Sequence, residues 1–244
     1  MSAVFARPAT LVRPVTLVES KEGSLHCLQA AFLMAANAFG IDSLGWPEAE
    51  RLTGYVAGRE TWPYEMFLSL ADLGFEVVSI EVIDPRAMSS DPAAEIKRVF
   101  GDGEIGQAII GFTDLDNERH RAERCLTRDE ITFEVRPPSA KDVVNGISTG
   151  YLPIANVDYG RLHSSTDYEG HFVVVSGAGA GEVEIFDPGP SSDAARLVTT
   201  SLFESALHQP HDDSGMVILI RPKQQSTAGV DSPKRGGDHI GTGL

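Results

Sequence analysis

Residues 170–190 read GHFVVVSGAGAGEVEIFDPGP, and taken with residues 27–40, CLQAAFLMAANAFG, they decide the fold. In the downstream stretch two apolar, β-branched runs flank SGAGAGE, so the pattern predicts a hairpin. A dinucleotide-binding glycine motif would need a helix after the glycines, and EVEIF reads as a strand. The first run opens at His171 directly after the turn residues DYEG, and the second ends at Asp187 followed by proline. Pairing the two runs brings the acid close to the histidine, where a carboxylate can accept one ring N–H and leave the other ring nitrogen to act as a base. The upstream stretch is rich in Ala, Leu and Met and stops at Gly40, which predicts a buried helix with Cys27 in its first turn. Unsatisfied N–H groups and the helix dipole favour negative charge there, and a thiolate is a competent nucleophile. Free cysteine is also among the most buried residue types, so the position of Cys27 alone leaves a packing role open.

Outward from these segments, WPEAERLTG and TWPYEMFLSLADLGF each start near a proline and close near a glycine, as helices do. EVVSIEVI reads as a strand and DPAAEIKRVFGDG as a short helix. The charged run DLDNERHRAERCLTRDE suits a solvated helix that keeps Cys125 on its inner face as a packing residue, and ITFEVR follows as a strand. After a helix at PPSAKDVVNGISTG come strand-like runs at YLPIANVDYG, in the 170–190 stretch and at MVILIRP, with a helix at TTSLFESALH between the last two. The expected fold is α+β and two-lobed, with a helical N-terminal half carrying the thiol and an antiparallel-sheet C-terminal half carrying the histidine. The cleft lies between the lobes.

Residues 1–18, interrupted by Pro8 and Pro14, read as an extended arm with one strand at Thr16 to Glu19. Residues 19–222 form the catalytic domain, and the polar, Gly- and Ser-rich residues 223–244 read as a disordered tail. Apolar residues make up 42% and charged residues 23% of the chain, the usage of an ordinary globular protein. A formal net charge of -15 repels polyanions, which argues against nucleic acid. No apolar run is long enough to cross a bilayer, and prolines and arginines interrupt the start of the chain, so a cytoplasmic protein without a membrane partner is expected. Two cysteines, Cys27 and Cys125, are too few for a disulfide framework.

Other polar residues carry weaker expectations. His208 and His211 are spaced like metal ligands but sit in a proline-containing loop without a motif partner, so no metal and no other cofactor is expected. His163 reads as a solvent-exposed loop residue, although it could line the cleft near His171. Asn156 and Asp158 could present polar groups to the cleft or serve as turn and strand-edge residues. Trp62 and Tyr64 could line a substrate pocket, but tryptophan at a helix start more commonly anchors a core.

The segments KEGSLHCLQAAFLMAANAFG and GHFVVVSGAGAGEVEIFDPGP, with ETWPYEMFLSLADLGFEVVSIE and PPSAKDVVNGISTGYLPIANVD between them, resemble the peptidase domain of bacteriocin-exporter leader peptidases and their stand-alone relatives. These are a branch of the papain-like cysteine peptidases, and the resemblance spans about residues 19–207. It implies a papain-like fold, a catalytic triad of Cys27, His171 and Asp187, and an acyl-thioester on Cys27 in the cleavage of a peptide, amide or thioester bond. Six residues before the nucleophile, where the family has an oxyanion-donating glutamine, this chain has Lys21, whose ammonium is also a donor. Leu28 replaces the usual glycine. The pair His26-Cys27 also resembles the thiol of acyl-carrier-protein-dependent aminoacyl transferases, which implies an alternative in which a carrier-bound acyl group passes to an amine. The two departures from the family pattern leave a catalytically silent binding module as a third reading.

Overall fold

A computed structural model describes residues 14–20, 25–165, 169–189, 195–208 and 215–223. Lys21, most of the N-terminal arm and nearly all of the tail lie outside the described residues. The described residues form an α+β structure with ten helices and seven strands.

The strands make one sheet in the order β2-β1-β7-β3-β4-β5-β6. The strands are β1 (Phe75–Glu81), β2 (Ile131–Val135), β3 (Leu152–Asp158), β4 (Gly170–Gly179), β5 (Glu182–Phe186), β6 (Arg196–Thr199) and β7 (Met216–Pro222). All neighbours are antiparallel except β1 and β2, which are parallel. The sheet thus takes one strand, β1, from the first half of the chain as well as six from the second.

Successive strand residues face opposite sides, and here both sides are apolar, so the strands read as continuous hydrophobic runs. One face, with Ile154, Phe172, Val174 and Ile218, joins the core of α1 (Cys27–Ala38), α2 (Trp46–Thr53), α3 (Tyr64–Asp72), α4 (Pro85–Ser90), α5 (Pro92–Phe100) and α7 (Leu115–Cys125). The other face, with Ala155, Val173, Val175 and Val217, is covered by α8 (Ala140–Ser148), α9 (Tyr159–Leu162) and α10 (Thr200–Leu207). Gly146 lets α8 lie close on the sheet, because a Cβ there would stand 2.7 Å from Leu219. Among the described residues, no helix is long and apolar enough to cross a membrane.

The strand expected at Thr16 to Glu19 does not form. Val15, Leu17 and Val18 instead pack against the helical core, so their apolar pattern serves packing rather than pairing. Helices α4, α6 (Glu104–Phe112) and α9 and strand β6 were not anticipated from the pattern; each is short, and α6 and β6 are largely exposed. Cys125 is fully buried on α7 and its thiol donates to the Tyr64 carbonyl at 3.3 Å.

The helical layer buries carboxyl groups. Glu81, at the end of β1, is 2% exposed and accepts from the Ser79 hydroxyl at 2.6 Å, while its other oxygen has no partner. Burial raises its pKa to about 8, against which the Ser79 hydrogen bond works. Between the ordinary carboxyl value of 4.5 and about 8 the folded state holds a proton that the unfolded state has released, so stability falls as pH rises through that window. Replacing Glu81 by Gln is expected to flatten this slope and raise stability at about pH 8 by a few kcal/mol, as read by urea unfolding at several pH values. An unchanged slope would show that Glu81 is not the group held neutral.

Candidate active site

Three elements meet at one end of the sheet. Cys27 is the first residue of α1, and His26, in the capping position, makes no side-chain cap. The start of this helix is clamped to α2. The His26 ring is 4% exposed, lies 3.0 Å from Glu50 through Nε2 and packs against Tyr55 and the edge of Trp46. One turn on, the Gln29 amide donates to Thr53 at 2.9 Å. His26 therefore ties two helices together beside the half-buried Cys27.

His171 is the second residue of β4 and pairs with Val157 of β3. The β4–β5 turn consists of Ala180 and Gly181, both with positive φ, the two-residue geometry that matches strand twist. From that turn the register runs Gly179 to Glu182 and Gly177 to Glu184, then shifts at a bulge so that Val175 faces Ile185 and Val174 faces Phe186. One residue further, Asp187 falls opposite Val173, on the His171 side of the ribbon. Without the extra residue, Ser176, it would fall opposite Val174 and point to the other face.

The result is a buried hydrogen-bonded chain. His171 Nε2 lies 2.8 Å from Asp187 Oδ1, and Cys27 is near enough to the His171 ring to act on it electrostatically. The Gly189 N–H donates to Asp187 Oδ1 at 2.8 Å, and His163 Nε2 lies 2.9 Å from Asp187 Oδ2. His171 is 6% and Asp187 3% exposed. Burial pushes the His171 pKa down, but the hydrogen bond to Asp187, the nearby Cys27 and the charges of both outweigh it and lift the value to about 10. For Asp187 burial pushes upward, and the hydrogen bonds from His171, Gly189 and His163 overcome it, leaving the carboxyl at about 2. The buried carboxylate thus favours the protonated form of the ring. The arrangement can supply a nucleophile and a proton donor together.

The remaining candidates are placed elsewhere. Asn156 is half-buried on β3 opposite Phe172 and Met216, on the sheet face covered by α1. Trp62 donates through its indole N–H to Thr113 at 3.0 Å and stacks on Tyr64, so its described contacts are those of a core anchor. Lys21 lies outside the described residues; Ser20, just before it, donates its backbone N–H to the carbonyl of Pro188 at 2.8 Å. His208 lies 3.5 Å from Glu204, and His211 is outside the described residues. No group of three metal-ligating side chains occurs among the described residues.

His163 corrects the sequence reading. It is not a free loop histidine, since its side chain is 25% exposed and bound to Asp187. The missed signal is DYGRLH, in which Asp158 caps a one-turn helix by accepting from the Arg161 N–H, and Tyr159 and His163, four residues apart, stack.

No protein-family model matches the chain, and no curated protein matches it. Among solved structures it is similar to the peptidase domain of Streptococcus ComA, a bifunctional ABC transporter involved in a quorum-sensing pathway, with 15% identity and a TM-score of 0.47 over 85% of this chain and 98% of that one. It is also similar to a double-glycine-motif protease from an AMS/PCAT transporter in complex with its leader peptide, with 12% identity and a TM-score of 0.45 over 88% of this chain and 98% of that one.

If the carboxylate holds His171 protonated, Asp187→Asn should lower the His171 pKa from about 10 by at least about one unit, because it removes both a charge and an acceptor. Proton NMR titration of the ring reads this directly. A His171 that titrates where it did before would show that Asp187 does not set its charge.

Proposed function

We propose that the chain is a cysteine-nucleophile enzyme that forms an acyl-thioester on Cys27 in the cleavage of an amide, peptide or thioester bond. The observation that supports this most is the buried imidazole that lies 2.8 Å from a buried carboxylate and also interacts with Cys27. His171 takes the thiol proton, and the sulfur attacks the carbonyl carbon of the substrate. As the bond to the leaving group breaks, His171 gives its proton to the departing nitrogen or sulfur. Water, deprotonated by His171, then attacks the thioester, releasing the acid and restoring the thiol. With an amine in place of water the same second step becomes acyl transfer.

Lys21 and the Cys27 N–H are the proposed donors to the oxyanion formed in each attack. The bond from Ser20 to the Pro188 carbonyl supports this role for Lys21, because it holds the preceding residue next to the loop that carries Asp187. Asn156, on the face covered by α1, is the proposed polar contact for substrate.

Cys125 is an internal control for Cys27, since burial pushes its thiol pKa well up and keeps it protonated. Iodoacetamide at about pH 6 should alkylate Cys27 at least about tenfold faster than Cys125, and His171→Ala should slow Cys27 alone. A p-nitrophenyl ester should leave an acyl adduct on Cys27 that intact-mass spectrometry detects and that Cys27→Ala abolishes. Equal alkylation rates would remove the basis of the proposal, whereas fast alkylation without an adduct would point to the silent binding module.

A further inference from the structure

Asp187 is held by two histidines, and the mechanism above uses only one. His171 binds Oδ1 at 2.8 Å and His163 binds Oδ2 at 2.9 Å. The Tyr159 ring lies between them, stacked on His163 at 4.1 Å and edge-on to His171 at 4.9 Å. A carboxylate seated on one donor can still swing about its side-chain bonds, whereas donors on both oxygens fix its plane.

The hydrogen-bond chemistry assigns the tautomer. Arg196 Nη1 lies 3.3 Å from His163 Nδ1 and 3.4 Å from Nε2. A donor almost equidistant from both ring nitrogens lies over the ring face rather than on either lone pair, so Arg196 packs on the imidazole and does not choose its tautomer. The ionised carboxylate of Asp187 has only lone pairs to offer, which puts a ring hydrogen on His163 Nε2, pointing at Asp187. The Arg196 guanidinium donates through Nη2 to the Leu162 carbonyl at 3.0 Å, so it is anchored on the one-turn helix that presents His163.

We infer that His163 is a positioning residue for the reaction: oriented by Arg196, it donates to the second oxygen of Asp187 and so fixes the carboxylate that holds His171 against Cys27. The inference rests on the cysteine-enzyme reading of the site. Among the described residues, the neighbouring charges have other partners. Asp158 at the end of β3 is tied to Arg161 at 3.5 Å, Arg161 also donates to the carbonyls of Ser205 and His208, and Glu204 of α10 lies 3.5 Å from His208.

Two substitutions separate the hydrogen bond from the packing. His163→Phe keeps a ring against Tyr159 and removes the donor, while His163→Gln keeps an N–H donor and removes the ring. The readout is the rate of Cys27 alkylation by iodoacetamide as a function of pH on the full chain, with folding checked by circular dichroism. His163→Phe should move the acid limb of that profile up by about one pH unit, because a hydrogen bond to a charged group is worth about a tenfold change in proton affinity. His163→Gln should lie close to the parent. The reverse order, or identical profiles for all three proteins, would overturn the inference. Should the Phe variant not fold, Arg196→Gln provides the second test, since loss of the guanidinium that packs on the His163 ring and is anchored on Leu162 loosens the ring and should move the limb in the same direction by less. No shift there would also overturn it. His171→Ala distinguishes the two levels: if it leaves alkylation unchanged, the cysteine-enzyme reading itself fails, whereas if it slows alkylation while the His163 variants do not, only the role of His163 falls.

Discussion

A carboxylate at the end of a buried strand is the constraint around which this site is organised. Asp187 is almost wholly removed from water, and an ion in that position is tolerated only if its lone pairs are met by donors or opposite charge. Three groups meet them, the rings of His171 and His163 and the backbone N–H of Gly189. Each donor fixes a further piece of chain. His171 sets the beginning of β4, His163 sets the turn after β3, and Gly189 sets the loop after β5, to which the segment before α1 is bound through Ser20 and Pro188. Even the lack of a side chain at Gly189 belongs to this packing, because a Cβ there would stand 3.0 Å from the carboxylate and 3.1 Å from the Tyr159 ring.

The same economy shows in how the half-buried Cys27 is held. Its helix is apolar on nearly every side and cannot shift without opening the core. His26 and Gln29 add polar ties to α2, so the first turn is held laterally as well as from behind. Cys27 and His171 are thus each carried by a rigid element, α1 and β4, which fixes the relation between them.

Much of this is legible in the sequence because it follows from periodicity. The helix at 27–38, the alternation in EVVSIEVI and the hairpin around Ala180 and Gly181 each have a local signature, and the structure forms all three. Less legible were features that depend on parity or on tertiary partners. The bulge at Ser176 has no local mark, yet it decides which face Asp187 joins. His163 looked like a loop histidine because its partners, Asp187 and Arg196, are 24 and 33 residues away. The apolar pattern near Thr16 suggested a strand, but alternation cannot say whether a segment pairs or only packs. Trp62, whose ring also suits a pocket, has its described contacts in the core between Thr113 and Tyr64.

The position of β7 has a consequence for how the molecule is made. This strand is the last of the described strands, yet it lies between β1 and β3 and supplies the pairing for both. Until residues 216–222 have been synthesised, β1 with its neighbour β2 and β3 with its neighbours β4 to β6 are two separate sheets, each with an unpaired edge. The helix that bears the thiol packs on β4 of one group, and Phe39 at its end meets Phe75 of the other at 5.0 Å, so its seat is incomplete for the same interval. A nascent chain therefore carries Cys27 through translation without its final surroundings, and gains them in one closing event of long sequence separation.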